Sequence, residues 1–344
     1  MLERIRAEVA AAGGWIPFAR YMELALQAYY GRGDRQFGAH GDFVTAPELG
    51  SLFGRTLANQ IRQIPFQSVL ELGAGSGALA ETLLKELDCE YLILETSAAL
   101  RARQAARLGN RVRFLDAPPT AFRGAVIANE VVDAMPVHLV RWQQDGVYER
   151  GVTFSDALAW KDRAAGGAVL AEARTIDVPV PYESEIGLAA RAWMRSLGER
   201  LEEGAIFVID YGFSRREYYH PQRAMGTLMC HTRHRAHGDP LVQPGEQDIT
   251  AHVDFSALAH AAREAGLDVL GYATQAQFLV NCGITDVLAQ ANVENALRYA
   301  PIAAEAQKLL SPAEMGELFK VLALGRGVKQ PLAGFSQGDR SHTL

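Results

Sequence analysis

V-L-E-L-G-A-G-S-G, residues 69–77, decides how the rest of the chain is read. Val69 to Leu72 is a short apolar strand signal, and Gly73, Gly75 and Gly77 follow it directly. A helix pattern over 78–88 comes next. Glycine adopts positive φ and lets the backbone approach a ligand closely. The helix N-terminus adds unpaired N–H groups that suit a carboxylate or phosphate. Two cofactor classes use such turns. Gly73-x-Gly75-x-x-Ala78 satisfies the dinucleotide pattern, so the glycines alone do not discriminate. Three features lean toward S-adenosylmethionine. The turn reads Glu-x-Gly-x-Gly-x-Gly, with Glu71 just ahead of it. It lies well inside the chain, behind helical segments, whereas dinucleotide domains often begin with it. Asn129-Glu130 closes a later strand, where a transferred methyl would emerge. The nucleophile elbow G-x-S-x-G is absent, because Ala74 and Ala78 flank Ser76.

Outward from the turn, strands and helices alternate. Strand patterns at 68–72, 91–94, 111–115 and 124–128 are separated by helix patterns over 78–88 and through Arg107. That succession predicts an α/β fold with a doubly wound, mostly parallel sheet and right-handed crossovers. The stretch 137–163 alternates around Asp145-Gly146, a hairpin signal. A helix is expected over about 184–203, a buried strand at 205–210, and a long polar loop over 212–250. Asp254 and Gly266 bracket a helix as N-cap and C′ residues. Helices then span roughly 275–310, with a late strand near 319–324. The expected organisation has a helical cap and lid loop at 1–64. The ligand-binding core is 65–136 plus 204–344, with a late helical insertion. A hairpin and helix insertion occupies 137–203.

Composition narrows the function classes. The net charge of −6 argues against a nucleic-acid partner, since phosphate neutralisation wants a clustered basic excess. No apolar run is long enough to suggest a membrane span or a signal peptide. Cys89, Cys230 and Cys282 lie far apart and form no C-x-x-C, so a reducing, cytoplasmic compartment is expected. Cys230, His231, His234 and His237 match no common zinc spacing, and no metal is expected. An apolar helix face near the C-terminus would suit a homodimer or simply the core.

Ligands of open α/β sheets sit at the carboxyl ends of the strands. Glu95 ends the second strand, where it takes ribose hydroxyls or the N-terminus of the next helix. Asp116 ends the third, and accepts an adenine amino group or turns the chain before Pro118. Asn129, Glu130 and Asp133 cluster at the fourth. Methyl transfer from a sulfonium needs orientation more than acid–base help. A guanidinium acceptor would need carboxylates to grip it in pairs. Glu130 and Asp133 are candidates, and Asp133 can equally cap a turn before Pro136. His252, between Asp248 and Asp254, is a candidate general base or a helix-entry residue.

Seven motifs in order carry a family resemblance. They are G-D-F-V-T-A-P-E-L (41–49), V-L-E-L-G-A-G-S-G (69–77), Y-L-I-L-E-T-S (91–97), N-E-V-V-D-A-M-P-V (129–137), I-D-Y-G (209–212), G-T-L-M-C (226–230) and P-G-E-Q-D-I-T-A-H-V-D-F (244–255). Together they resemble the MidA family, which includes a mitochondrial complex I assembly-factor methyltransferase. The resemblance covers about residues 15–285. It implies a class I (Rossmann-like) methyltransferase with an added α+β portion, using S-adenosylmethionine. It implies a protein substrate methylated on arginine, with symmetric dimethylation, and a respiratory-complex subunit as one such substrate. It places Gly73, Gly75, Gly77 and Glu95 on the cofactor, and Asp42, Phe43 and Thr45 in the lid loop. Asn129 and Glu130 fall beside the acceptor. Two positions depart from the pattern: His231 stands where an aromatic is expected, and Met135 where Leu is common. A small-molecule methyltransferase and a non-catalytic cofactor-binding assembly factor are the competing readings.

Overall fold

The computed structural model describes residues 1–31, 45–65, 68–232, 235–291 and 295–344. Asp42, Phe43 and His234 lie outside the described residues. The main sheet is eight-stranded. Its strands include β1 Ser68–Leu72, β2 Glu90–Leu94, β3 Arg113–Leu115, β4 Phe122–Asn129, β5 Leu201–Phe213, β6 Asp268–Thr274 and β7 Phe319–Arg326. These stand side by side in the order β6-β7-β5-β4-β1-β2-β3. Strands β1 to β5 pair in parallel. Strand β7 runs antiparallel to both β5 and β6. Val253–Asp254 adds a short parallel strand at the far end of β5.

The central strands are unbroken apolar runs because both faces of the sheet are covered. Ala125 to Ala128 and Ala205 to Ile209 are buried throughout. Side chains such as Val69, Ile127 and Phe207 face one core with the helices Leu52–Ile61, Ala78–Glu86 and Gln275–Asn281. Leu70, Val126 and Val208 face the other, with Leu188–Arg200 and Phe255–Glu264. Asp254 caps the latter helix as its sequence suggests, accepting the Ala257 N–H at 3.0 Å.

Several expectations change in register or partner. The hairpin pairs Gln143 with Gly146, so Gln144 and Asp145 form the turn and Gly146 opens the returning strand. That strand, Gly146–Phe154, also pairs with Ile16–Pro17 and Leu158–Ala164. The hairpin region therefore shares a five-stranded sheet with the N-terminal segment. It shares a core too, where Ile5, Phe18 and Tyr21 meet Leu139 and Val152. Tyr182–Ile186 is a strand where a helix start is expected, and the helix begins at Leu188. That helix packs on the main sheet through Ala190, Met194 and Leu197. The polar stretch 212–250 contains a three-stranded sheet of Met229–Thr232, Arg235–His237 and Asp248–Thr250. Strand β6 was not apparent because Gly271 interrupts its apolar pattern. No described helix is long and apolar enough to cross a membrane.

Phe207 is fully buried in β5 at the middle of the sheet. Phe207→Ala should lower the unfolding free energy by about 3–5 kcal/mol. Urea titration would show it as a reduced midpoint with an unchanged slope.

Candidate functional site

Register sets the site. Leu72 pairs with Ala128, so the turn after β1 and Asn129-Glu130 after β4 emerge side by side. Gly73, Gly75 and Gly77 have φ of 63°, 54° and 81°. Side chains rarely adopt those angles, and a Cβ on Gly73 would crowd Val131 Cγ2 at 3.1 Å. Arg107 steadies the turn, donating to the Ser76 carbonyl at 3.3 Å and its hydroxyl at 3.1 Å. The Ser76 hydroxyl donates to Glu48, on the short helix Ala46–Leu49.

One cavity of about 610 Å³ joins these elements. Its lining includes Glu71, the turn residues Gly73 and Gly75, and Glu95 on one side. Asn129, Glu130, Asp133 and His252 lie on the other, and Thr45 also lines it. Burial pushes the Glu71 carboxyl up to about 7, against a 2.7 Å hydrogen bond from the Tyr91 hydroxyl. Glu95 accepts the Ser97 N–H at 2.9 Å and the Gln104 amide at 3.0 Å. Asp116 stands apart. It is exposed, pairs with Arg101 at 2.5 Å and does not line the cavity, because β3 is the outermost strand.

The opposite wall is acidic. Glu130 has φ of 53°, a strained conformation for a side-chain-bearing residue. Its Oε1 accepts from Asn129 Nδ2 at 3.1 Å and from the Ala46 N–H at 3.4 Å. Burial, and then the Asp133 charge, push its carboxyl up to about 8. Asp133 rises to about 6 through burial, opposed by a hydrogen bond from the Tyr211 hydroxyl. Asp248 joins the same wall and accepts from the Tyr30 hydroxyl at 3.1 Å. Asp210 is fully buried beneath, accepting the Val132, Asp133 and Tyr211 N–H groups at 3.0–3.2 Å. Among the described residues, Asn129 Oδ1, Asp133 Oδ1 and His252 Nδ1 are buried without a partner. His252 stacks on Phe213 with centroids 5.2 Å apart, and burial lowers its pKa to about 4. It is neutral at physiological pH.

A family model described as S-adenosyl-L-methionine-dependent methyltransferase matches residues 52–273, a span holding the glycine turn, Glu95 and the acidic wall. The chain belongs to the MidA family of these enzymes. It is a class I methyltransferase, and its cofactor is S-adenosylmethionine. A solved methyl transferase structure from Burkholderia thailandensis, bound to S-adenosyl-homocysteine, is 50% identical with a TM-score of 0.95. The match covers 100% of this chain and 96% of that one. The Drosophila melanogaster protein named protein arginine methyltransferase NDUFAF7 homolog, mitochondrial, is 31% identical over 98% of this chain and 88% of its own. The Homo sapiens protein arginine methyltransferase NDUFAF7 is 28% identical over 94% and 83%. The cavity suits a MidA cofactor: its volume lies in the range of small-molecule sites, and acids flank a glycine cradle.

Two residues essential to this geometry were not apparent in the sequence. Gln104 bridges the glycine turn and Glu95. Glu185, buried in the strand Tyr182–Ile186, accepts the Thr227 and Leu228 N–H groups at 2.8 and 2.9 Å. Its other oxygen accepts from Tyr218 at 3.0 Å and the Thr227 hydroxyl at 3.1 Å. The carboxylate thus fixes the G-T-L-M loop, whose Thr227 and Met229 line the cavity. Gly226, at φ 73°, is required because a Cβ there would lie 2.3 Å from Glu185 Oε1. Gly226→Ala should displace this loop and cut methyl transfer at least tenfold, a loss of about 1.4 kcal/mol. Calorimetry should meanwhile show S-adenosylhomocysteine affinity within about threefold of the parent, less than 1 kcal/mol.

Proposed function

We propose that this MidA enzyme methylates arginine side chains of a protein, with the acceptor held between Glu130 and Asp133. The buried acceptor atoms without partners support this most directly. Asn129 and Asp133 line the cavity, and among the described residues Asn129 Oδ1 and Asp133 Oδ1 have no donor. Leaving such atoms unpaired costs about 1–3 kcal/mol each. A guanidinium brings five N–H donors and a permanent positive charge. The relatives named protein arginine methyltransferases point the same way.

The chain's residues then divide the work. The glycine turn and Glu95 hold the cofactor, with Glu95 accepting ribose hydroxyls and Glu71 lining the cavity beside them. Bound there, S-adenosylmethionine supplies a methyl group on a positively charged sulfur. Glu130 already commits Oε1 to Asn129 and Ala46, which leaves Oε2 for the acceptor. An arriving cation draws the carboxyl into its ionised form. Ionised Glu130 and Asp133 orient the guanidinium as a charge-assisted clamp. Orientation of this kind can supply about 7–11 kcal/mol. The acceptor nitrogen must give up one proton as its new bond to carbon forms. Glu130 Oε2 takes that proton. His252, neutral and packed between aromatic rings, closes the wall beside Tyr211.

Transfer of labelled methyl from S-adenosylmethionine into a lysate lacking the protein, followed by acid hydrolysis, tests this. Label should be recovered as methylarginine, with the symmetric dimethyl form resolved by chromatography. Glu130→Gln should reduce the transfer roughly thirtyfold or more, about 2 kcal/mol, as expected for losing one side of a charged clamp. Label confined to small molecules or lipids, or undiminished transfer by Glu130→Gln, would overturn the proposal.

A further inference from the structure

Gln104 has no exposed surface, yet it is a polar side chain in the apolar interior beside the glycine turn. It lies on the helix Ala98–Leu108, whose Ser97 N-cap follows Glu95 by two residues. Both amide hydrogens are committed. One goes to the Gly75 carbonyl at 2.9 Å, the other to Glu95 Oε2 at 3.0 Å. Glu95 Oε1 takes the Ser97 N–H at 2.9 Å. The amide cannot be turned over, because its oxygen would then face a carbonyl and a carboxylate. Among the described residues Gln104 Oε1 is buried without a partner, so the arrangement leaves one acceptor unmet there. The helix is also seated on the turn itself. A Cβ on Gly77 would meet Leu108 Cδ1 at 3.3 Å and Gln104 Cγ at 3.6 Å.

We infer that Gln104 is a positioning residue for the cofactor. Its single amide clamps the glycine turn and the Glu95 carboxylate at a fixed spacing, and that spacing sets affinity for S-adenosylmethionine and S-adenosylhomocysteine. The two ends of the clamp serve different parts of one ligand. The turn cradles one end, and Glu95 takes the ribose. This rests on the ribose role of Glu95 proposed above. The amide also keeps Glu95 suitable as a pure acceptor. Burial raises the Glu95 carboxyl, while the Ser97 N–H and the Gln104 amide counter that rise. Without the amide the acid gains a proton more readily and offers one acceptor fewer to the ribose.

The test is S-adenosylhomocysteine binding by calorimetry on the full chain, with three variants. Gln104→Met keeps the size and removes both donors. It should weaken binding by about ten- to a hundredfold, the range for a hydrogen bond to a charged group. Gln104→Glu places a second carboxylate against Glu95. A shared proton restores the link to Glu95 at low pH but not the donor to the Gly75 carbonyl, so its affinity should stay below the parent's and fall further from about pH 5.5 to about pH 8. The parent should show no such fall. A structural filler would lower thermal stability in Gln104→Met with unchanged affinity, and would give Gln104→Glu no falling profile. Glu95→Gln separates the two levels. If it weakens binding while both Gln104 variants bind like the parent, the clamp is wrong and the ribose reading stands. If Glu95→Gln also binds like the parent, the ribose reading fails and the clamp with it. Should Gln104→Met not fold, the profile of Gln104→Glu alone decides.

Discussion

The parallel pairing of β1 with β4, register Leu72 to Ala128, is what the rest of the site depends on. It brings the end of one strand, which turns through glycines, beside the end of another, which turns through a strained glutamate. The ladder holds the glycine turn and the acidic strand end at a constant spacing. Backbone hydrogen bonds pin both exits: Gly73 N–H to the Leu94 carbonyl at 3.0 Å, Glu130 N–H to the Ile209 carbonyl at 2.9 Å. The strands on either side, β2 and β5, therefore share in placing the reacting groups. The segment 45–49 then ties the two exits together from above. Glu48 takes the Ser76 hydroxyl, and Ala46 N–H reaches Glu130.

Charge follows from that placement. Glu130, Asp133 and Asp210 sit close together, and burial is the largest influence on each. Asp210 is satisfied by three backbone N–H groups and serves the loop. Glu130 and Asp133 line the cavity, and among the described residues Asp133 Oδ1 has no donor. A buried acid oxygen left without a donor costs stability. They line the cavity opposite the glycine cradle, which on the proposed reading leaves one half for the cofactor and the other for a cationic acceptor. The inserted sheet contributes to the second half through Glu185, which secures Thr227 and Met229.

Much of this was legible in the sequence, and for physical reasons. Glycines at positive φ, the uninterrupted apolar strands and the Asp254 cap are local signals, decided within a few residues. The acids at strand ends were legible because parallel strands deliver their C-terminal residues to one rim. Asp116 shows the limit of that rule: it ends an outer strand, and Arg101 draws it to the surface. Gln104 and Glu185 were illegible because nothing local marks them. Glu185 acts on backbone groups at 227 and 228, and only the tertiary fold brings them together. Strand β6 and the small sheet within 212–250 were hidden by glycine and polar residues, whose pairing is set by neighbours and not by periodicity.

Ionisation of Glu130 is the most exposed part of this mechanism. The acceptor guanidinium stays charged throughout the accessible range, so it adds no titration of its own. A carboxyl raised to about 8 is largely protonated at neutral pH and becomes a clamp as pH rises. The decisive measurement is kcat/KM for the methylated acceptor across about pH 6 to about pH 9, in the parent and in Glu130→Gln. The parent should climb toward a plateau near the Glu130 value, while the variant stays low without that climb. A flat parent profile, or the same climb in Glu130→Gln, would contradict a clamp built on Glu130.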